Sequence, residues 1–389
     1  MADSAMKKPV MVRAFWWTWL SILGKFTYNG VIMSSVFTAP KFLSMPAVGF
    51  DVSTDALRFM ELEEKKGVLA VSRFGSRNFP IGIIAEGHIR DKKKLQEEIS
   101  VLARDHHLSF ANVALPEEQG YLANMHIPYV SPKELRGAIE LQLEEYVPIS
   151  AADAIFDYVV VNEAANKRKD TLDVVVSVLP RLVVEEYLEV FRGTGVIPKA
   201  FEFESQAMAR AIVPRGDNGT FLVADIGKTE TDVFVVANGV VQFSAILDVG
   251  GHHITQAIEK AMGISYDEAE ALKTKYGLVG GEKEAALHTA MLPTMADLRT
   301  RFLRHYTYWQ THHAEKVGGT IECIYLTGGG ANLKGVEEYL SAELDVKVVG
   351  ANPWANVCSF ESFVPPLTLR QSHGFTAAIG LALRSIFVM

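Results

Sequence analysis

Cysteine is nearly missing: Cys323 and Cys358 are the two in 389 residues, too few and too far apart for a disulfide framework or a zinc site, and in keeping with a reducing compartment. Long basic runs are missing as well. With a net charge of −8 and no stripe of Lys or Arg to track a phosphate backbone, nucleic acid is not an expected partner. The basic triplet Lys92–Lys94 reads as the solvated start of a helix. Near the N-terminus the uncharged runs Ala14 to Gly24 and Phe26 to Pro40 stop short of the roughly 18–20 apolar residues that span a bilayer. There is no Gly-x4-Gly-Lys-Ser/Thr loop, no Gly-x-Ser-x-Gly elbow and no His-Glu-x-x-His helix, which argues against P-loop nucleotidases, α/β-hydrolases and zinc peptidases. Histidine pairs at 106/107, 252/253 and 312/313 do not fill the gap, because adjacent residues point in different directions. No repeat of solenoid period occurs.

What is present is a chain about half hydrophobic, long enough for two domains. Before Ala47 lies a separate piece, residues 1–45, in which Phe15, Trp16, Trp17 and Trp19 crowd between Lys7, Lys8, Arg13 and Lys25. It reads either as an interfacial anchor, with aromatic rings at headgroup level, or as an extension ahead of a true start at Met33 or Met45. From Ala47 short apolar runs alternate with amphipathic segments, the pattern of an α/β protein. Strands are expected at Val48–Val52, Leu57–Leu62, Val68–Phe74, Thr171–Leu179, Phe221–Ile226 and Ile321–Thr327. Lys93–His106 is expected to be a helix with Leu95, Ile99 and Leu102 on one face, and Lys133–Tyr146 another with Leu135, Ile139 and Tyr146. In the second case Ser131-Pro132 supplies the start and Pro148 the stop. Asp232–Ser244 is a hairpin turning at Asn238-Gly239, and Ser265 with Glu268 forms the capping box of a helix running through Lys273.

A strand ending in Asp, a tight turn and an outgoing strand occur twice, at Asp51 and at Asp225. Two related halves face to face would bring both aspartates to one cleft. The turns offer NH groups and the hydroxyls of Ser53, Thr54, Thr229 and Thr231 as phosphate cradles, and the carboxylates are hard ligands suited to hydrated Mg²⁺. At Gly328, Gly329 and Gly330 a strand becomes a helix with no Cβ to keep a ribose or base away.

The order of these elements resembles that of the actin, Hsp70 and hexokinase-like superfamily. Within it the chain resembles the type IV pilus assembly PilM family from Met45 to Met389. Leu141–Pro148 with Phe156-Asp157-Tyr158 is similar to the subdomain that this family shares in general form with the cell-division protein FtsA. Phe203–Ala211 resembles the connecting helix, Asp248–Gly251, Thr255–Ile258 and Glu268–Lys273 the entry to the upper second domain, Leu326–Gly335 the adenosine motif, and Gly380–Arg384 the closing helix. The resemblance implies an actin-like (ribonuclease H-like) fold. Its first domain would hold residues 46–215 plus 372–389, with an inserted FtsA-type subdomain near 81–170, and its second residues 216–371. It implies ATP with Mg²⁺ as ligand: Asp51 and Asp225 at the metal and phosphates, Gly227 and Lys228 in the second phosphate loop, Glu204 orienting water, Gly250 and Gly251 along the nucleotide. Glu270, Lys273 and Leu333 would reach the adenosine.

Ser53 stands where the family has Gly, and Lys228 and Glu230 where it has small residues. Lys228 would set a cation on a phosphate and Glu230 would oppose one, so the loops favour nucleotide binding with weak hydrolysis at most. The implied role is a cytoplasmic adaptor, peripheral at the inner membrane, that binds the N-terminal cytoplasmic tail of a PilN-type membrane protein and meets other pilus platform proteins. Glu144, Glu145 and Tyr146 would form an acidic rim for that tail. A small-molecule kinase of the same superfold and an FtsA-like filament protein are the alternatives. The first needs a dedicated base, for which Glu204 is the candidate. The second needs a C-terminal anchor, whereas Leu381–Met389 reads as the end of a packed helix.

Overall fold

The computed structural model describes residues 47–387 apart from 66, 162–169, 280, 282, 283, 315–318, 343, 345 and 362. Both readings of the first 45 residues lie outside the described residues. Domain 1 begins with β1 (Val48–Val52), β2 (Ala56–Lys65) and β3 (Val68–Asn78). A small hairpin, β4 (Ile84–Ala85) and β5 (His88–Ile89), leads into α1 (Lys92–His106) and β6 (Phe110–Leu115). The Asp91 carboxylate accepts the Lys94 NH at 2.9 Å and so caps α1. Leu95, Ile99 and Leu102 then bury against Phe50, Phe59 and Val113.

The inserted subdomain consists of β7 (Tyr121–Pro128), α2 (Leu135–Gln142), β8 (Ala154–Val161) and β9 (Thr171–Pro180). Its antiparallel sheet has the order β7-β9-β8, and Met125, Ile127, Phe156, Val174 and Val176 share a core with Leu135 and Ile139 from the helix and Leu143 just after it. The insertion thus runs from about 121 to 180, not 81 to 170. Residues Ile83, Ile84 and Ile89 and helix α1 bury against the sheet of domain 1; periodicity shows that a helix has a buried face without showing which sheet covers it. The helix expected from Lys133 to Tyr146 is also shorter. Its first turn is occupied by Glu134, whose carboxylate accepts the NH and hydroxyl of Ser131. After Gln142 the chain tightens into a 3₁₀ turn, Leu143–Glu145. The tightening brings Leu143 and Val147 inside and leaves Tyr146 exposed.

Helix α3 (Arg181–Phe191), β10 (Ile197–Phe203) and α4 (Glu204–Ile212) follow, and the chain crosses to domain 2. There β11 (Thr220–Ile226), β12 (Thr231–Ala237), β13 (Val240–Leu247), α5 (Gly251–Met262), α6 (Tyr266–Tyr276), α7 (Ala285–His312), β14 (Cys323–Thr327), α8 (Val336–Ser341) and β15 (Lys347–Gly350) follow in order. The two sheets run β10-β6-β1-β2-β3 and β15-β14-β11-β12-β13, so they match strand for strand: two parallel neighbours on one side of β1 or β11, an antiparallel hairpin on the other. The second hairpin turns at Asn238 (φ 54°) and Gly239 (φ 74°), both left-handed as a primed two-residue turn requires.

The returning chain forms α9 (Leu369–Ser372) and α10 (Thr376–Phe387), and α10 lies in domain 1 against β1 and α4. Two glycines allow this approach. A Cβ on Gly49 would lie 1.9 Å from Ala378 O, and one on Gly380 1.7 Å from Ala207 O. Beside them the buried Glu202 carboxylate takes Arg210 at 2.6 and 2.8 Å and Arg384 at 2.5 Å, fixing β10, α4 and α10 to one another. Two arginine partners satisfy a charge that would otherwise be costly to bury.

Candidate functional site

Between the two domains lies a cleft of about 480 Å³, and the matched β-hairpins point their turns into it. Asp51, next to the last residue of β1, has a buried side chain. One of its oxygens receives Arg58 at 3.5 Å, and the other, Oδ1, has no protein partner. Arg58 also donates to Ser53 Oγ at 3.1 Å. The second turn is closed by Gly227 NH donating to Glu230 O at 2.9 Å. Across the cleft Thr54 Oγ1 meets Thr229 Oγ1 at 3.3 Å, and Lys228 Nζ pairs with Asp55 at 3.1 Å. Lys228 therefore bridges the domains, and Glu230 does face inward, beside Glu118.

Because β11 and β12 are antiparallel, Asp225 stands directly opposite Asp232. Glu204, at the first position of α4, completes a trio: one ligand atom from each of Glu204, Asp225 and Asp232 lies within 4.8 Å of the others. Burial, and after it the Asp51 carboxylate, pushes Glu204 well above the carboxylate range. Burial and then Asp225 do the same to Asp232, and burial with Asp51 lifts Asp225 to about 7. Glu230 is raised to about 7 by burial and by Glu118. Crowded oxygens and the orphaned Asp51 Oδ1 fit a hard divalent cation, whose charge would reverse these shifts.

The third wall is the glycine turn. β14 lies parallel to β11 with Thr327 opposite Asp225, so Gly328 follows directly beside that carboxylate. It sits at φ 79°, and a Cβ there would lie 2.1 Å from Asp225 Oδ1. Gly330 packs as closely on Ile226, whereas a Cβ on Gly329 would meet no protein atom within 4 Å. Leu333, Glu270 and Lys273 line the same region. Lys273 Nζ donates to Gly251 O at 3.0 Å and Thr255 Oγ1 at 2.8 Å and pairs with Glu270 at 2.7 Å, so α6 is tied to the start of α5.

Two expected residues stand back from the cleft lining. Thr231 is wholly buried and its hydroxyl donates to Val249 O at 2.6 Å. Gly250 packs under the Gly227–Glu230 turn, where a Cβ would lie 2.6 Å from Lys228 O. Sequence reasoning passed over Asp232, Glu118, Arg370 and His373, all of which line the cleft. The register of the β11–β12 hairpin was a usable signal for Asp232, since a turn at 227–230 sets it opposite Asp225. Arg370 and His373 follow a segment with no periodic pattern; His373 Nδ1 and Asn332 Oδ1 lie 3.2 Å apart.

A second cavity, of about 430 Å³, lies where the insertion meets domain 1. Asp157, Tyr158 and Val159 of β8 face Gln206, Ala209 and Arg210 of α4 across it. Glu144, Glu145 and Tyr146 do not line this groove; Glu144 accepts the Ala151 NH at 3.0 Å and closes its own loop. All three side chains are exposed on the turn that follows α2.

Two mixed sheets of one topology, facing turns each preceded by a strand aspartate, and a glycine turn between them define an actin-like α/β protein with an insertion in its first domain. A solved chain described as "PilM-PilN type IV pilus biogenesis complex" shares this fold with a TM-score of 0.73 and 23% identity over 88% of this chain and 99% of that one. The family model for "Type IV pilus assembly protein PilM" matches residues 49–386, and the chain belongs to that family. It is also similar to cell division protein FtsA of Streptococcus pneumoniae, with 28% identity over 217 residues, and of Neisseria meningitidis, with 30% over 79. These matches span 47% and 19% of those proteins and 49% and 20% of this chain. No helix among the described residues is long and apolar enough to cross a membrane.

The raised carboxyl groups make a pH prediction. In protein stripped of divalent cations by chelation, the folded chain holds protons near neutrality that the unfolded chain has lost. Their contribution to stability is full below the ordinary carboxylate range of about 4 and declines as the pH rises to about 7, the level of Asp225 and Glu230. The unfolding temperature in EDTA should fall between pH 5 and pH 8, with Mg²⁺ raising it more at pH 8. A flat profile in calorimetry would mean that these carboxylates ionise normally.

Proposed function

We propose that this chain binds ATP with Mg²⁺ in the cleft and the N-terminal cytoplasmic tail of a PilN-type membrane protein in the groove. It thereby serves as an adaptor on the cytoplasmic side of a type IV pilus machine, peripheral to the inner membrane. The observation that carries the first part is the facing of Asp51, Glu204, Asp225 and Asp232 with Gly328–Gly330 across one cavity. Bound Mg²⁺ supplies charge neutralisation for the phosphates. The chain's own groups do the rest: the turn at Ser53–Asp55 and the turn at Gly227–Glu230 hold the phosphates from two sides, and the glycine turn admits the base. Glu204 lines the cleft and would orient water, yet Glu230 and Glu118 add negative charge to the same cleft, so occupancy rather than turnover is the expected role.

For the tail, the support is the groove itself together with family membership and the name of the solved complex. β8 is the terminal strand of its sheet and Val159 is 45% exposed, an arrangement that suits an extended peptide with main-chain pairing and apolar anchors. Titration of the whole chain with Mg²⁺–ATP, and separately with a synthetic PilN-tail peptide, tests both parts. Val159→Glu should weaken the peptide at least about tenfold, or 1.4 kcal/mol. Equal affinity in that variant would remove the groove from the reading, and absence of any ATP binding would remove the cleft.

A further inference from the structure

The glycine turn is held at both ends by one residue of the returning segment. His373, buried between α9 and α10, lines the cleft beside it. Its carbonyl accepts the Gly328 NH at 3.2 Å and the Thr327 hydroxyl at 3.3 Å, where the turn begins. Its ring nitrogen Nδ1 lies 3.2 Å from Oδ1 of Asn332, where the turn ends. The other ring nitrogen, Nε2, lies 2.9 Å from Ala351 O. Both ring nitrogens thus face oxygens. Ala351 O is a carbonyl and can only accept. The Asn332 amide is oriented by Arg370: its Nδ2 donates to Arg370 O at 2.9 Å, and the Arg370 guanidinium donates to Asn332 O. That leaves Oδ1, an acceptor, for the ring. A neutral imidazole has one N–H and satisfies one of the two oxygens, whereas the imidazolium satisfies both.

Burial holds His373 below the ordinary histidine range, against the bond to Ala351 O and the Glu337 carboxylate of α8, which favour the charged ring; Arg370 opposes it. Across the turn stand Asp225, beside Gly328, and Arg58, beside Gly374. With the cleft empty, the ring is therefore mostly neutral near pH 7, and one of its two contacts lacks a proton. An anion in the cleft favours the charged form. Resting on the nucleotide reading above, we propose that His373 is a positioning residue for the nucleotide: its doubly protonated ring clamps the glycine turn, so the cleft binds nucleotide more tightly as this ring gains a proton. By linkage, bound nucleotide strengthens the hold of the ring on that proton to the same extent.

Two measurements on the whole chain test this. The first is isothermal titration with ATP at saturating Mg²⁺, at about pH 6 and about pH 8, of the parent and of His373→Gln, whose side chain does not titrate. Protonating the cleft carboxylates weakens the hold on a cation in both proteins alike, so the ratio of the two affinities isolates the ring. The parent's advantage over the variant should be at least about fivefold greater at the lower pH, the lower end of the range usual for linked events. An advantage that is equal at both pH values, or absent, overturns the proposal and leaves the nucleotide reading standing. A parent that binds no ATP at either pH overturns that reading and the proposal with it. The second measurement needs neither nucleotide nor loss of the ring. In protein labelled with nitrogen-15 histidine, the ring shifts of His373 report its protonation. Asn332→Asp, which sets a carboxylate against Nδ1, should move the titration midpoint upward. An unmoved midpoint overturns the clamp, whatever His373→Gln does to folding.

Discussion

Gly329→Val is expected to abolish Mg²⁺–ATP binding while the protein stays folded. The neighbouring glycines cannot serve this test. A Cβ on Gly328 would strike the Asp225 carboxylate, and one on Gly330 would lie 2.1 Å from Ile226 Cγ2, so their replacement disturbs the sheet. Gly329 differs: its missing Cβ points at no protein atom within 4 Å, and the residue lines the cleft. A branched side chain would take space that the nucleotide needs and no space that the protein needs. A loss of at least about a hundredfold, near 3 kcal/mol, should appear in calorimetry beside an unchanged circular dichroism melt. Affinity within about threefold of the parent would show that the base does not lie against this turn.

Gly380→Ala should have the largest effect on stability, although it adds one methyl group. That methyl would fall 1.7 Å from Ala207 O and 2.4 Å from Ala207 C, atoms of the α4 backbone that have no rotamer by which to yield. Helix α10 must shift, and with it the contact of Arg384 with Glu202. Overpacking commonly costs about 1–3 kcal/mol, and a clash with backbone on a buried face belongs at or above the upper end, about 3 kcal/mol. Urea unfolding with an unchanged midpoint would mean that the two helices are not packed this closely.

Much of the fold could be read from local chemistry. The two strand-Asp-turn units, the Asn238-Gly239 hairpin and the Ser265–Glu268 capping box are each specified by a few adjacent residues, and each is found where those residues place it. What could not be read depends on residues distant in sequence. Which sheet covers α1 decides where the insertion starts, and Ile83 or Leu95 would look the same in either case. Thr231 has the hydroxyl of a phosphate ligand, but its partner, Val249 O, is set by the path of the chain after β13. The buried face expected for Tyr146 gave way to a change from α to 3₁₀ geometry after Gln142, which turns side chains by a different angle per residue. In the cleft, Asp232 was reachable from register alone, whereas Arg370 and His373 arrive from a segment whose course is fixed by Trp354, Val357 and Leu367 packing on domain 1.

The position of α10 also sets a timetable for synthesis. The surfaces it covers, on β1 and on α4, leave the ribosome before any of domain 2 is made, and the helix that closes them emerges only after β15. At about 5–20 residues per second the first domain waits on the order of ten to thirty seconds with Gly49, Ala207 and the Glu202 carboxylate uncovered. Domain 1 thus cannot finish folding ahead of its neighbour, and a nascent chain held at Gly350 should be a target for chaperones that a full-length chain escapes.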